Sequence, residues 1–389
     1  MPLNRCPPPF DRAEYQRRLA CVRASMAAAR LDRLLISGAT AIAWVTGYDA
    51  DSDYVPQLAV VDEQPDCTLF LRDMDLSGAM HMSWLTENNL IGYPEDYVGA
   101  ANRDGFDFII DRLRANRRHK GRIGAALGRL SSRDAAKLIA GLPGAKIVAA
   151  DDLIDRIRLV KSPAEIAVMR EAARLTDHAM TRARAVIAPG VLEAEAAAAV
   201  CAALIHGPDG IVGDRIISPL MPASTRTGSA HLGWSEERYR ASGSVNLELG
   251  GSRYGYCAGL MRTIALGSIS DRLRRIHDAS VEGLEAALAT MRPGAVCGEV
   301  ADAYARTVAR HGISKASRCG YPIGLHWMEP TASLRSDDRT ELRAGMTFHL
   351  MLGNWLARDF GHVLSETVLV TGLGAQCLTT TDRTLTCAR

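Results

Sequence analysis

Along the first 30 residues apolar positions recur at helical spacing (Tyr15, Leu19, Val22, Met26), which predicts a helix over 11–30. The run LDRLLIS that follows is dense in aliphatics and reads as a strand, as do 57–62 and 67–72. Helical patterning returns near 104–116 and 132–140, on either side of the strand-like GRIGAAL. This alternation predicts a mixed α/β domain over residues 1–155. The segment DDLIDRIRLVKSPAEIAVMREAARL then predicts a short helix, a break at Ser162-Pro163 and a long amphipathic helix, with Pro163 and Glu165 in its first turn.

Residues 156–389 are patterned differently. Two Ala-rich helices (about 164–186 and 192–205) precede the strand-like SVNLELGG and GLMRTIALG. A second helix pair (about 269–291 and 296–311) precedes MTFHLMLG and ETVLVTG. Two similar blocks of helices and antiparallel strands predict an α+β domain with internal pseudo-symmetry.

At 389 residues the chain is long enough for two cores. With 23% charged and 47% apolar residues it has an ordinary globular composition. A formal charge of +2, without a basic run, gives no support for nucleic acid as a partner. No apolar run approaches the ~20 residues of a membrane span, and MPLNRCPPPF lacks the apolar core of a signal peptide, so the expected location is the cytoplasm. The nine cysteines show no CxxC pairs and read as buried or inert thiols. Cys257 alone falls where a thiol would meet candidate chemistry.

Three ordered stretches carry a resemblance. HLGWSEERYRASGSVNLELGGSRYGYCAGLMRT resembles the histidine, Asp-x-Gly, Tyr, Asp and Arg-Thr series of the creatinase/methionine-aminopeptidase superfamily (peptidase M24, the pita-bread fold), GYPIGLHWMEP its Gly-His-Gly-Ile-Gly…His-Glu-x-Pro, and RAGMTFHLMLGNW…HVLSETVLVT its Pro-Gly-Met…Glu-Pro-Gly…Glu-Asp-Thr ending. Within it, WVTGYDADSDYVPQ, IGYPEDYV, AHLGW, GYPIG and SLR resemble the ectoine hydrolases. The resemblance implies a creatinase-like α/β N-terminal domain (1–155) and an α+β pita-bread domain (156–389) with pseudo-symmetric helix pairs and a curved antiparallel sheet. It also implies a homodimer, with WVTGYDADSDY as a surface loop closing the partner's site.

Members that use metal hold two divalent ions with two Asp, one His and two Glu. Carried over by position, these become Glu248, Gly259, Tyr321, Met351 and Glu366. Glycine offers no donor and a thioether is too soft for such a set, so the resemblance points to the metal-independent branch, with no cofactor. The catalytic candidates are then His231, Glu248 and Glu366. Alternation along Val245, Leu247 and Leu249 sets Glu248 on the face opposite three aliphatics. Paired carboxylates suit a cationic amidine, and a histidine suits proton transfer. Substrate-binding candidates are Arg335, then Arg262, for a substrate carboxylate, with Tyr54, Tyr256, His326, Glu329 and Trp355 around it. The expected activity is hydrolysis of a C–N bond in a small amidine or guanidine carboxylate, with an ectoine-like cyclic amidine foremost. The alternatives are a prolidase-like or Xaa-Pro aminopeptidase-like peptidase and a non-catalytic binding module. HWMEPTASLR is shorter than its counterpart in the ectoine enzymes, and Cys257 stands at their histidine. Both departures bear on substrate choice.

Overall fold

The computed structural model describes residues 8–116 and 118–389; residues 1–7, with Cys6, lie outside them. Contacts divide the chain into two units, Met1–Arg158 and Leu159–Arg389.

The first unit runs α1 (Arg12–Ala28), β1 (Arg33–Ile36), α2 (Ala39–Thr46), β2 (Leu58–Val61), β3 (Thr68–Arg72), α3 (Leu76–Met82), β4 (Leu90–Tyr93), α4 (Gly105–Ala115), β5 (Gly121–Ala125), α5 (Ser132–Gly141), β6 (Ala145–Ala149) and α6 (Leu153–Arg158). Its six strands form one mixed sheet in the order β4-β3-β2-β1-β5-β6. Leu35, Val60 and Phe70 from the sheet pack with Phe106, Ile109 and Leu113 of α4. Helix starts follow capping chemistry: Asp11 and Ser131 accept from the first-turn amides of α1 and α5, and Asp104 and Asp107 form a capping box on α4. The motif WVTGYD is the C-terminal turn of α2, closed by Gly47 in the left-handed conformation (φ 79°). Trp44, Thr46 and Tyr48 are buried. The surface loop expected from this motif is thus confined to its last residues, where Asp51, Asp53 and Tyr54 face solvent.

The second unit continues with α7 (Pro163–Val186), α8 (Glu193–Ile205), β7 (Gly243–Arg253), β8 (Tyr256–Leu266), α9 (Asp271–Thr290), α10 (Cys297–Ala309), β9 (Gly320–Gly324), β10 (Trp327–Met328), β11 (Thr347–Met351), β12 (Asn354–Ala357), β13 (Phe360–His362), β14 (Ser365–Thr371), β15 (Gly374–Cys377) and β16 (Thr386–Ala388). Ser162 and Glu165 form the capping box that starts α7, with Pro163 at its first position. The pseudo-symmetry is visible in the cores. Helices α7 and α8 cover β7 and β8 through Met180, Val200, Val245, Leu247, Leu249 and Leu260. Helices α9 and α10 cover β11 and β14 through Leu284, Tyr304, Phe348, Leu350, Val368 and Val370.

Side-chain hydroxyls join the two halves. Ser365 Oγ accepts from the Met261 amide at 2.7 Å, and Thr367 Oγ1 accepts from the Gly259 amide at 2.8 Å while donating to its carbonyl at 2.9 Å. The Thr263 hydroxyl bridges to Val363 in the same way. The last residues fold back on this seam. Strand β16 runs parallel to β8, and Asp177 of α7 accepts from the amides and hydroxyls of both Thr380 and Thr381.

Candidate active site

Strands β7 and β8 pair antiparallel over their whole length, with Glu248 opposite Met261 and Gly250 opposite Gly259. Because side chains alternate across a strand, these four share one face, while Val245, Leu247 and Leu249 point into the helix-covered core. The placement of Glu248 expected from alternation is the one observed.

The indole of Trp327 lies over the two glycines. A Cβ on Gly250 would come within 2.2 Å of that ring, and one on Gly259 within 2.8 Å of it and 3.0 Å of the His349 imidazole. Trp327 reaches this position from a turn in which it and His326 both take positive φ (80° and 59°). Such backbone is uncommon outside glycine. It is held by the His326 amide on the Gly255 carbonyl and by the Trp327 Nε1–H donating to the Tyr321 hydroxyl at 2.9 Å.

His349, on β11, completes the cluster. It is fully buried, with Nδ1 3.1 Å from the Tyr321 hydroxyl and Nε2 2.7 Å from Ser365 Oγ. The Glu248 carboxylate stands 3.9 Å from its Nδ1, beyond a direct hydrogen bond. Burial shifts both groups toward their neutral forms, raising Glu248 to about 7 and lowering His349 to about 3. Around neutrality the cluster therefore holds one poised carboxyl group beside an uncharged imidazole, whose two nitrogens meet a phenol and a hydroxyl.

This donor set does not fit a pair of divalent ions. Glu248 is the one hard carboxylate on this face; the Gly259 position is filled by two aromatic rings, and Tyr321 and Met351 supply a phenol and a thioether. The strand end once assigned to a carboxylate carries Ser365. Setting the threonine of the Glu-Asp-Thr ending on Thr367 places its Glu at Ser365, and Ser365 and Thr367 are the side chains that face β8 and His349.

Glu366 points the other way and is corrected accordingly. It is 1% exposed, clamped by Arg262 at 2.9 Å and Arg383 at 3.0 Å, and accepts from the Thr379 hydroxyl. With both oxygens committed it is a structural anion, and Arg262 is its structural partner. His231 is exposed on a loop whose next residue, Leu232, accepts from the Met221 amide, while the adjacent Leu220 pairs with Glu248; no hydrogen bond joins His231 to Glu248 among the described residues. Arg335 is exposed and paired with Asp337 at 2.6 Å. Glu329 is buried against the Lys161 ammonium. Tyr256 is buried with its hydroxyl on Glu165 at 2.7 Å. Trp355 lies on the β12–β13 hairpin over Gly353, with the Lys315 ammonium 5.7 Å from its ring. Tyr54, in the first unit, is 73% exposed and accepts from Arg72. Cys257 is buried, and desolvation pushes its thiol up to about 12, which leaves it without thiolate character. Sequence reasoning missed His349 and Ser365 as site residues and gave Trp327, in the loop after GYPIG, no role of its own. Their one advance signal was that His349 and Ser365 lie two and one residues from positions already aligned to metal ligands.

The chain belongs to metallopeptidase family M24, whose model matches residues 167–372, preceded by a creatinase/prolidase N-terminal domain over residues 18–160. It is 45% identical to an uncharacterized hydrolase/peptidase, y4tL, of Sinorhizobium fredii across 99% of both chains. It is 33% identical to the ectoine hydrolase of Halomonas elongata across 97% of this chain and 98% of that one. Among solved structures, the prolidase from Pyrococcus furiosus superposes with a TM-score of 0.78 at 22% identity, over 93% of this chain and 99% of that one, which shows the shared fold.

Proposed function

We propose that this hydrolase cleaves a C–N bond in a small amidine or guanidine carboxylate without a metal ion, and that ring opening of an ectoine-like cyclic amidine is its reaction. The observation that carries the reading is Glu248, raised to about 7 by burial, at the heart of a site whose metal positions are filled by Trp327, Tyr321, Met351 and Ser365. The likeness to an ectoine hydrolase over nearly the full chain supports the substrate class.

A cationic amidine drawn to Glu248 stabilises the carboxylate and so keeps it ionised, able to accept a proton, in the complex. Glu248 takes a proton from water as the oxygen adds to the amidine carbon, then returns it to the nitrogen as the C–N bond breaks, leaving an amide and an amine. Such general acid–base help is worth about 10²–10⁴ in rate. His349, uncharged, acts through position, holding the wall of the site with Tyr321 and Ser365. In this reading the enzyme acts in the cytoplasm and is a homodimer, the latter an expectation that follows from the resemblance.

Incubating metal-stripped protein with ectoine, hydroxyectoine and creatine, with products followed by mass spectrometry, tests the proposal. The expected result is addition of one water to ectoine, unchanged by a chelator. Cleavage of an Xaa-Pro dipeptide on addition of Mn²⁺, with all three amidines left intact, would instead establish the prolidase-like reading that the Xaa-Pro dipeptidase relatives favour.

A further inference from the structure

The site described above contains a base but none of the arginines proposed from sequence: Arg335 is spent on Asp337, and Arg262 shares Glu366 with Arg383. A different arginine stands beside it. Arg318, just before β9 and half-buried, lays its guanidinium 4.5 Å from the centroid of the Tyr321 ring. Its polar contact is one N–H on the thioether of Met328 at 3.0 Å, and it has no carboxylate partner among the described residues. A thioether is a weak acceptor, so most of this cation's hydrogen-bonding capacity is unused.

Resting on the hydrolase reading above, we infer that Arg318 receives the carboxylate of the substrate and so restricts the enzyme to zwitterionic compounds. The contact with an aromatic face holds the guanidinium beside the site, and its planar N–H fork is suited to bidentate contact with a carboxylate. The same tyrosine fixes the other end of the site. Its hydroxyl touches His349 Nδ1, which in turn lies 3.9 Å from Glu248. Burial is the main cause that raises the Tyr321 phenol, and on top of it Glu248 and Arg318 act in opposite senses, the carboxylate raising it and the guanidinium lowering it. A molecule with an amidinium at one end and a carboxylate at the other is complementary to this pair of charges. A cation without the carboxylate would leave Arg318 unanswered.

The test compares each acid with its carboxamide: ectoine, creatine and Ala-Pro against ectoine amide, creatine amide and Ala-Pro amide. Binding is measured by calorimetry on protein carrying Glu248→Gln, which suspends turnover, with and without Arg318→Gln or Arg318→Lys. A melting curve for each variant checks the fold. The expected result is that whichever pair binds shows a preference for the acid of roughly ten- to hundredfold, the worth of a charged hydrogen bond. Arg318→Gln abolishes that preference by weakening the acid alone, and Arg318→Lys restores it in part. A preference for the acid that survives Arg318→Gln overturns the assignment, as does equal binding of acid and amide before the substitution, or binding of none of the six. Preference confined to the Ala-Pro pair and lost in Arg318→Gln would uphold Arg318 while refuting the amidine reading.

Discussion

Two glutamates, Glu366 buried and Glu248 partly so, have opposite fates, and the difference is chiefly one of partners. Glu366 meets two guanidiniums and a hydroxyl; Glu248 meets none. Replacing Glu366 with Gln should strand two arginines, and breaking a buried pair costs about 3–5 kcal/mol. A loss of that size in denaturant melts is the expected outcome, where a binding role would alter affinity with stability intact. Glu248→Gln should lower turnover by about 10²–10⁴, and the free enzyme's kcat/KM should rise with pH to a plateau above about 7. Stability should move in the opposite sense. A folded-state pKa of about 7 against an ordinary 4.5 means that the native state holds a proton the unfolded chain has released. Its stabilising contribution is complete below about 4.5 and is lost as pH rises through 7. Glu248→Gln, which mimics the protonated acid, should therefore raise the melting temperature relative to the parent at pH 8 and change it little at pH 4.5. Glu248 was legible in the sequence because alternation with three aliphatics fixes its face. Ser365 and Glu366 were not separable there, since a shift of one residue along a strand exchanges the faces.

At the level of the elements, one tight turn between β9 and β10 and two glycines rebuild the site. Gly250 and Gly259 face each other across β7 and β8 so that the Trp327 ring can lie on both. Gly259→Asp, which writes a metal-ligand carboxylate back into that position, should not recover an ion. The new Cβ would press on Trp327 and His349, and overpacking of this kind typically costs about 1–3 kcal/mol. A lowered melting temperature with no Mn²⁺ binding in calorimetry is expected, and tight stoichiometric Mn²⁺ binding would refute the account. The helices α7 to α10 and the long strands β7 and β8 were legible to within a few residues, because each shows sustained periodicity or a capping signal such as Ser162-Pro163 with Glu165. Helix α2 was not: eight mostly apolar residues ending in Gly47 carry too little periodicity to separate a helix from a buried strand or loop. The place of the Trp327 ring was not legible for a related reason, because two successive residues at positive φ aim it and no local pattern announces them.

At the scale of the whole chain, the family and the two-unit plan were legible because ordered motifs extend over most of its length. The expected indifference to chelators belongs to this scale too: turnover on the true substrate should be equal before and after treatment with EDTA, and a stoichiometric metal in elemental analysis would contradict it. The chain's last residues have a further consequence. Asp177 grips Thr380 and Thr381, Thr379 hydrogen-bonds Glu366, Arg262 donates to the carbonyls of Thr381 and Asp382, and Arg383 completes the charge around Glu366. This tail works as a clasp, locking the far side of the seam whose near side carries His349 and Ser365. A protein shortened by residues 379–389 would uncover a buried guanidinium–carboxylate pair and leave the Ile264–Leu266 end of β8 as a bare edge. It should accumulate as insoluble aggregate on expression, and any tag or fusion joined at this end needs a spacer long enough to let the clasp shut.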